Sequence, residues 1–279
     1  SWELIVVDNG SSDRSAEWLS RQRDERRLRL LTNVVNGGFA QGCNLGAAVA
    51  KGRYLLFLNN DMEVLPGWLD PLVETLDRDP EVGIVGARLL FPDGTVQHAG
   101  VALVDAHTSG QPTLGGVLLS RKQDAAAQGT QTPQSLQVVT GACLMIRPEV
   151  FETTGGFDED DWDGNEDVDL CLAAGGAGWR TVYRPESVIV HYESQSGPER
   201  WTRVGDNVAR LERKWRGHAE PDFVQHPDGR FEATGANRIR SYVDPRLKLP
   251  RGDGAEPVVS VIVLTWNALP YTQRCVQSL

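Results

Sequence analysis

The 279-residue sequence predicts an α/β fold: a doubly wound, mostly parallel sheet with a smaller mixed region beside it. Three observations predict it. The first hundred residues alternate short apolar runs with helical stretches, as parallel strands joined by crossover helices do. The runs are apolar throughout, as strands covered on both faces must be. Two of them stop abruptly in polar residues, Asp8-Asn9 and Asn59-Asn60-Asp61.

Taken in order, residues 3–9 (ELIVVDN) read as a buried strand, and Ser12 or Asp13 can cap a helix running to about Arg23. Residues 27–33 alternate as a second strand, residues 38–50 form a helix of small residues, and residues 54–60 (YLLFLNN) form a third strand. Pro66 suits the first turn of the next helix, where a missing N–H costs least. Another strand follows in VGIVGARLLF. After Asp93 the texture changes: PDGTVQHAGVAL reads as a turn and an alternating strand, and residues 105–135 read as a long polar loop. Residues 136–146 form a strand pair or a kinked strand. An acidic Gly-bearing loop then leads to a helix near Glu166, two short strands over 179–194, and an amphipathic helix over 201–215. Residues 217–257 are rich in Pro, Gly and Asp and read as a linker before a last strand, VVSVIVLTWN.

Lys and Arg number 28 against 38 Asp and Glu, a net charge of −10, which argues against nucleic acid as a partner. An acidic chain holds a phosphate compound only through a local device such as a metal ion or a helix N-terminus. The four cysteines are scattered with no C-x-x-C pair, so a reducing compartment is expected. No apolar run spans a bilayer, which points to a cytoplasmic protein, with peripheral association at the inner membrane face still open.

Ligands of parallel α/β sheets bind beyond the carboxyl ends of the strands. Asp8 and Asp61 end two such strands and should face one crevice. Turn preference alone explains one acid in such a place, but two at corresponding ends suggest a hard divalent cation, Mg2+ or Mn2+, completed by substrate phosphates. Glu166 and Asp167 fall in the first turn of a helix, where acids complement the dipole or, in a site, serve as a general base. His191 ends a strand and reads as a structural histidine or a ligand.

The motifs ELIVVDNGSSDRSAEWL, NGGFAQGCNLGAAVAKGRYLLFLNNDMEVLPGWL, VGARLLFPDGTVQHAG, VTGACLMIRPEVFETTGGFDE and EDVDLCLAAGGAGWRTVYRPESVIVHYES, in that order, resemble the family 2 glycosyltransferases, and most of all the rhamnosyltransferase-like branch. The resemblance runs from about residue 2 to 216. It implies a GT-A fold, a nucleotide-diphosphate sugar donor, a divalent cation and inversion at the anomeric carbon. It implies Asp8 at the nucleobase, Asn60 and Asp61 at the nucleotide sugar, and Asp61 with His191 at the metal. Asp167 becomes the catalytic base, with Glu166 beside it toward the acceptor. Trp162, in the acidic loop, either stacks on an acceptor sugar or pins that loop. The acceptor is expected to be a glycan or a lipid-linked hydroxyl, in cell-surface polysaccharide synthesis. Two rivals stay open: a sugar nucleotidyltransferase, and a non-catalytic module that binds nucleotide or glycan. The amides of NND and the glycines of LCLAAGGAGW depart from the family pattern. They put metal affinity and helix length in question.

The resemblance also makes the two ends odd. The family's first strand and helix look like residues 258–279, and its next strand looks like residues 2–9. The expectation is a domain over 1–216 that lacks its usual first strand. Residues 258–279 are then either the start of a tandem copy or a permuted strand completing the domain. An empty central slot leaves two rows of backbone groups unpaired. The expected outcome is therefore that residues 259–264 fill the slot in parallel, bringing Thr265 and Asn267 beside Asp8.

Overall fold

The computed structural model describes residues 1–26, 28–108, 111–161, 164–193, 195, 204–235 and 257–279. In chain order these form β1 (Trp2–Asp8), α1 (Ser15–Arg26), β2 (Arg29–Thr32), α2 (Gly38–Val49), β3 (Tyr54–Asn59), β4 (Met62–Val64) and α3 (Asp70–Arg78). Next come β5 (Val82–Leu90), β6 (Val96–His98), β7 (Val101–Thr108), β8 (Gln111–Leu118), β9 (Gln134–Leu136), β10 (Cys143–Ile146), α4 (Pro148–Thr153) and α5 (Glu166–Gly176). The last are β11 (Arg180–His191), α6 (Val204–Trp215), β12 (Phe223–Gln225), β13 (Phe231–Ala233), β14 (Val259–Thr265) and α7 (Leu269–Ser278).

The main sheet runs β2-β1-β14-β3-β10-β5-β11-β4. β14 lies between β1 and β3 and is parallel to both, pairing Val261 with Leu4 on one side and Leu56 on the other. The slot between the first and third apolar runs is thus filled by residues 259–265. β10 runs antiparallel between β3 and β5, and β11 returns parallel to β5. Side-chain alternation splits the core in two. Ile5, Phe57 and Ile262 face α2, α4 and α5 on one side, and Val6, Leu56, Val261 and Val263 face α1, α3 and α7 on the other.

β14 is held by a polar latch and by close packing. The Ser260 hydroxyl donates to Glu3 and accepts from the Gly52 N–H (2.7 Å). A Cβ on Gly52 would lie 2.3 Å from the Ser260 nitrogen, and one on Gly46 would lie 2.4 Å from Ile262 Cγ2. Real Cβ atoms do not approach so closely, so both glycines are shaped to this strand.

Four local expectations are corrected. Residues 105–135 are not one long loop, because β7 and β8 pair as a hairpin over Val101–Leu118, with Glu212 of α6 accepting from the Leu114 N–H at 2.7 Å. Gly115 and Gly116 hide the alternation there. Pro66 lies within the turn closed by the Trp68 N–H on the Leu65 carbonyl, and α3 starts at Asp70 with Pro71 in its first turn. Residues 180–191 form one strand with register shifts around Arg184, rather than two. Within the stretch read as a linker, β12 and β13 form a hairpin, and the Asp222 carboxylate just before it accepts from the Leu103 N–H (2.8 Å). Among the described residues, no helix is long and apolar enough to cross a membrane.

Candidate active site

Beyond the carboxyl ends of β1, β14 and β3 lies a cavity of about 300 Å3. Its wall includes Asn60, Glu166, Asp167 and His191 from the sequence-derived set, together with Asn36, Phe39, Gln97, Thr140, Gly141, Glu193 and Trp266. Asp8, Asp61, Thr265 and Asn267 are not among its lining residues. Trp162 is outside the described residues.

Asp167 is in the first turn of α5, whose entry is set by Asn165 in the left-handed region (φ 71°). Its Oδ2 accepts from the Gly141 N–H (2.8 Å) and its Oδ1 from its neighbour, the Val168 N–H (2.8 Å). A Cβ on Gly141 would come within 3.0 Å of the Asp167 Cβ, so glycine here lets the main chain approach the carboxylate without displacing it. Burial pushes the Asp167 carboxyl above the usual carboxylate range, and the amide donors and the Thr140 hydroxyl oppose that rise. A carboxylate that is a stronger base than usual, yet held ionisable by amides, can take a proton from a hydroxyl. Glu166 is buried and accepts from the Gly164 N–H.

The loop carrying Gly141 is itself set by His98 on β6. The fully buried imidazole donates from Nδ1 to the Ala87 carbonyl (3.0 Å) and accepts at Nε2 from the Thr140 N–H (3.2 Å). Sequence reading passed over His98, Thr140, Gln97, Glu193 and Trp266. VQHAG looks like an ordinary half-buried strand, and the available signal was a histidine and a glutamine adjacent in a strand whose faces are both covered.

His191, in the cavity wall, meets Asp61: both are buried, with His191 Nε2 3.2 Å from Asp61 Oδ1. Among the described residues, His191 Nδ1 is a buried polar atom with no hydrogen-bond partner, and Asp61 Oδ1 has only the His191 ring beside it. One carboxylate oxygen and one imidazole nitrogen left in this state fit a hard or borderline divalent cation.

The remaining expected ligands are engaged internally. Asn60 donates to the hydroxyls of Thr265 (3.1 Å) and Thr272 (2.9 Å), tying the end of β3 to β14 and α7. The Asn267 Oδ1 accepts from the main-chain N–H groups of Ser12 (2.7 Å) and Asp13 (3.2 Å). Asp8 is buried and accepts from the Ser11 N–H (3.1 Å). Thr265 pairs with Asp8, and Asn267 holds the Ser12 and Asp13 amides just beyond it, so both brace the crevice.

A second acidic group, Asp158, Asp161 and Asp169, brings its ligand atoms within 4.8 Å of one another. Its counter-charges come from α6. Arg210 reaches Asp158 (2.7 Å) and Asp161 (3.3 Å), Lys214 reaches Asp169 (2.8 Å), and the Trp215 indole donates to Asp169 (2.7 Å). The group is a clamp between the acidic loop, α5 and α6.

Known proteins match this arrangement. Residues 1–155 match the model of the family described as "Glycosyl transferase family 2". The chain is 40% identical over 197 residues to the O-antigen biosynthesis protein RfbC of Myxococcus xanthus, covering 70% of this chain and 15% of that protein. It is 28% identical over 208 residues to the N-acetylglucosaminyl-diphospho-decaprenol L-rhamnosyltransferase of Mycobacterium tuberculosis (strain ATCC 25618 / H37Rv), covering 69% of this chain and 67% of the relative. The chain thus spans only a small part of the first of these relatives. In fold it is similar to GalNAc-T7 crystallised with UDP, GalNAc and Mn2+, with a TM-score of 0.54 at 20% identity, covering 68% of this chain and 37% of that one. A mostly parallel sheet, acids beyond its carboxyl edge, a basic carboxylate on a helix entry and a family match over more than half the chain converge on one conclusion: this chain is a glycosyltransferase of GT-A fold and belongs to glycosyl transferase family 2.

Proposed function

We propose that the chain moves a sugar from a nucleotide-diphosphate sugar to a hydroxyl of a glycan or lipid-linked acceptor, with inversion at the anomeric carbon, in cell-surface polysaccharide synthesis. The observation that carries this reading is Asp167, a carboxyl raised by burial and held by the Gly141 amide in the wall of a cavity that His191 also lines. The relatives named for O-antigen synthesis and for rhamnosyl transfer to a lipid diphosphate support the acceptor class.

The chemistry follows from the residues. The acceptor hydroxyl gives its proton to Asp167 as its oxygen bonds to the anomeric carbon. The bond from that carbon to the diphosphate oxygen breaks on the opposite face, and its electron pair leaves with the nucleoside diphosphate. Glu166, next to the base, orients the acceptor, and Trp162 is assigned to the same side. Asp8 and the Trp266 ring flank the nucleotide end, with Thr265 and Asn267 bracing it. Asp61 and His191 would hold a divalent cation, Mg2+ or Mn2+, which supplies charge neutralisation for the leaving diphosphate. The reaction is assigned to the cytoplasmic side of the membrane that carries a lipid-linked acceptor.

The test is nucleotide release from UDP-, GDP- and dTDP-linked hexoses with Mn2+, in wild type and Asp167→Asn. The variant keeps the shape but loses the proton acceptor, so release should fall by ~10²-fold or more while nucleotide-sugar binding persists. Asp61→Ala should lose turnover and metal-dependent thermal stabilisation together. Full turnover in excess chelator, or in Asp167→Asn, sinks the reading.

A further inference from the structure

The cavity wall that holds Asp167 and His191 also carries a buried acceptor with no role so far. Gln97, on β6, is 4% exposed and lines the cavity, and its Oε1 has no hydrogen-bond partner. Its orientation is dictated by a neighbour. The amide Nε2 faces Glu193 Oε1 at 3.4 Å. A carboxylate accepts only, so the amide nitrogen must turn toward it and the oxygen away.

Glu193 is itself clamped. Arg121 donates to both of its oxygens (3.2 and 2.8 Å) while resting over the Phe91 ring at 4.8 Å. The two-pronged contact with the Arg121 guanidinium fixes the Glu193 carboxylate in place beside Gln97. The backbone of Glu193 is in the left-handed region (φ 52°), which a residue with a side chain adopts only where its surroundings enforce it. That backbone turn, two residues past His191, brings the carboxylate to the cavity wall.

Position along the wall decides what Gln97 meets. Gln97 shares the wall of one cavity with Thr140, Gly141 and Asp167 and with His191 and its own partner Glu193. The transferred sugar must lie between the group that receives the proton and the group that carries the leaving diphosphate. We propose that Gln97 is a specificity-determining residue for that sugar, its Oε1 accepting a hydrogen bond from a ring hydroxyl of the donor, with the Arg121–Glu193 pair as the positioning device. This rests on the glycosyl-transfer reading given above.

The experiment is calorimetric titration of the full chain, with Mn2+, against UDP, GDP and dTDP and against UDP-glucose, UDP-N-acetylglucosamine, GDP-mannose and dTDP-glucose. Gln97→Met keeps volume and removes the acceptor. Expected is an about 10-fold loss of affinity for whichever nucleotide sugar wild type binds, with the matching free diphosphate unchanged. Deoxy analogues of that sugar provide the second measurement. One of them should bind wild type and Gln97→Met equally, marking the hydroxyl read. Should Gln97→Met not fold, Arg121→Met, at the surface, frees Glu193 and should weaken the sugar about threefold without affecting the diphosphate. Equal losses for sugar and diphosphate, or none in either variant, overturn this assignment and leave the transferase reading intact. A wild type that binds no nucleotide and no nucleotide sugar overturns both.

Discussion

His98 has both ring nitrogens bonded to main chain and no contact with water. Burial drives its pKa down to about 4, the Ala87 carbonyl opposes the fall, and the charge of His191 adds to it. The folded value lies below the unfolded one, so the unfolded chain takes up the proton first. The stability that neutral His98 contributes is therefore complete above about pH 6.5 and is lost as pH falls toward 4, by up to roughly 3 kcal/mol. Across that window the urea midpoint should change more positively with rising pH in wild type than in His98→Gln, and equal slopes in the two would refute the assignment. Glu166→Gln is expected to raise the acceptor KM several-fold with a small change in kcat, in contrast to Asp167→Asn. The reverse pattern in the two variants would exchange their roles. At this scale the sequence disclosed residues that announce themselves by position, Asp167 and Glu166 at a helix entry and Asp61 and His191 at strand ends. It concealed residues whose role depends on a partner far along the chain. The Asn60 amide reads as a ligand until the hydroxyls of Thr265 and Thr272, more than 200 residues later, are seen to accept from it.

Elements carry their own tests. Gly46→Ala sets a methyl against a side chain, Ile262, while Gly52→Ala sets one against the backbone of Ser260. Each should cost about 1–3 kcal/mol by chemical denaturation. The two differ in rescue. Ile262→Ala should cost less in the Gly46→Ala background than in wild type, a coupling that a double-mutant cycle reads directly, whereas no truncation relieves Gly52→Ala. The clamp on α6 gives a pH test of opposite sign to His98. Burial, then Asp169 and Asp158, raise the Asp161 carboxyl to about 7, against Arg210 and Lys214. A carboxyl raised on folding makes the native state hold its proton longer, so stability falls as pH rises through 4 to 7. Asp161→Asn should thus melt higher than wild type above pH 7, and the two curves should converge near pH 4. Strands with unbroken apolar runs, such as β1, β3 and β14, were readable because burial on both faces leaves no other composition. The β7–β8 hairpin was not, since Gly115-Gly116 and scattered Gln and Ala erase its alternation. Nor was the continuity of β11 through Pro185, which its register shift accommodates.

Among the described residues the main sheet has a core on each face, with the β7–β8 and β12–β13 hairpins outside it, and its order was recoverable because the family pattern names a strand between β1 and β3. What no local pattern could supply is the partner that fills it, since Trp2 pairs with Val259 across nearly the entire sequence. That placement has a kinetic consequence. The strand at the centre of the sheet meets both neighbours only through contacts separated by about 200 residues or more, and such loops must close before any pairing rewards them. Until then β1 and β3 each present an open edge of Val, Ile, Leu and Phe, a template for pairing with another chain. Refolding from denaturant should be slow for a protein of this size, and its yield should fall as protein concentration rises. Supplying a synthetic peptide of residues 257–279 in excess should restore the yield by occupying the slot early, and a scrambled peptide should not. A yield independent of concentration would mean that the centre closes before the edges can be found.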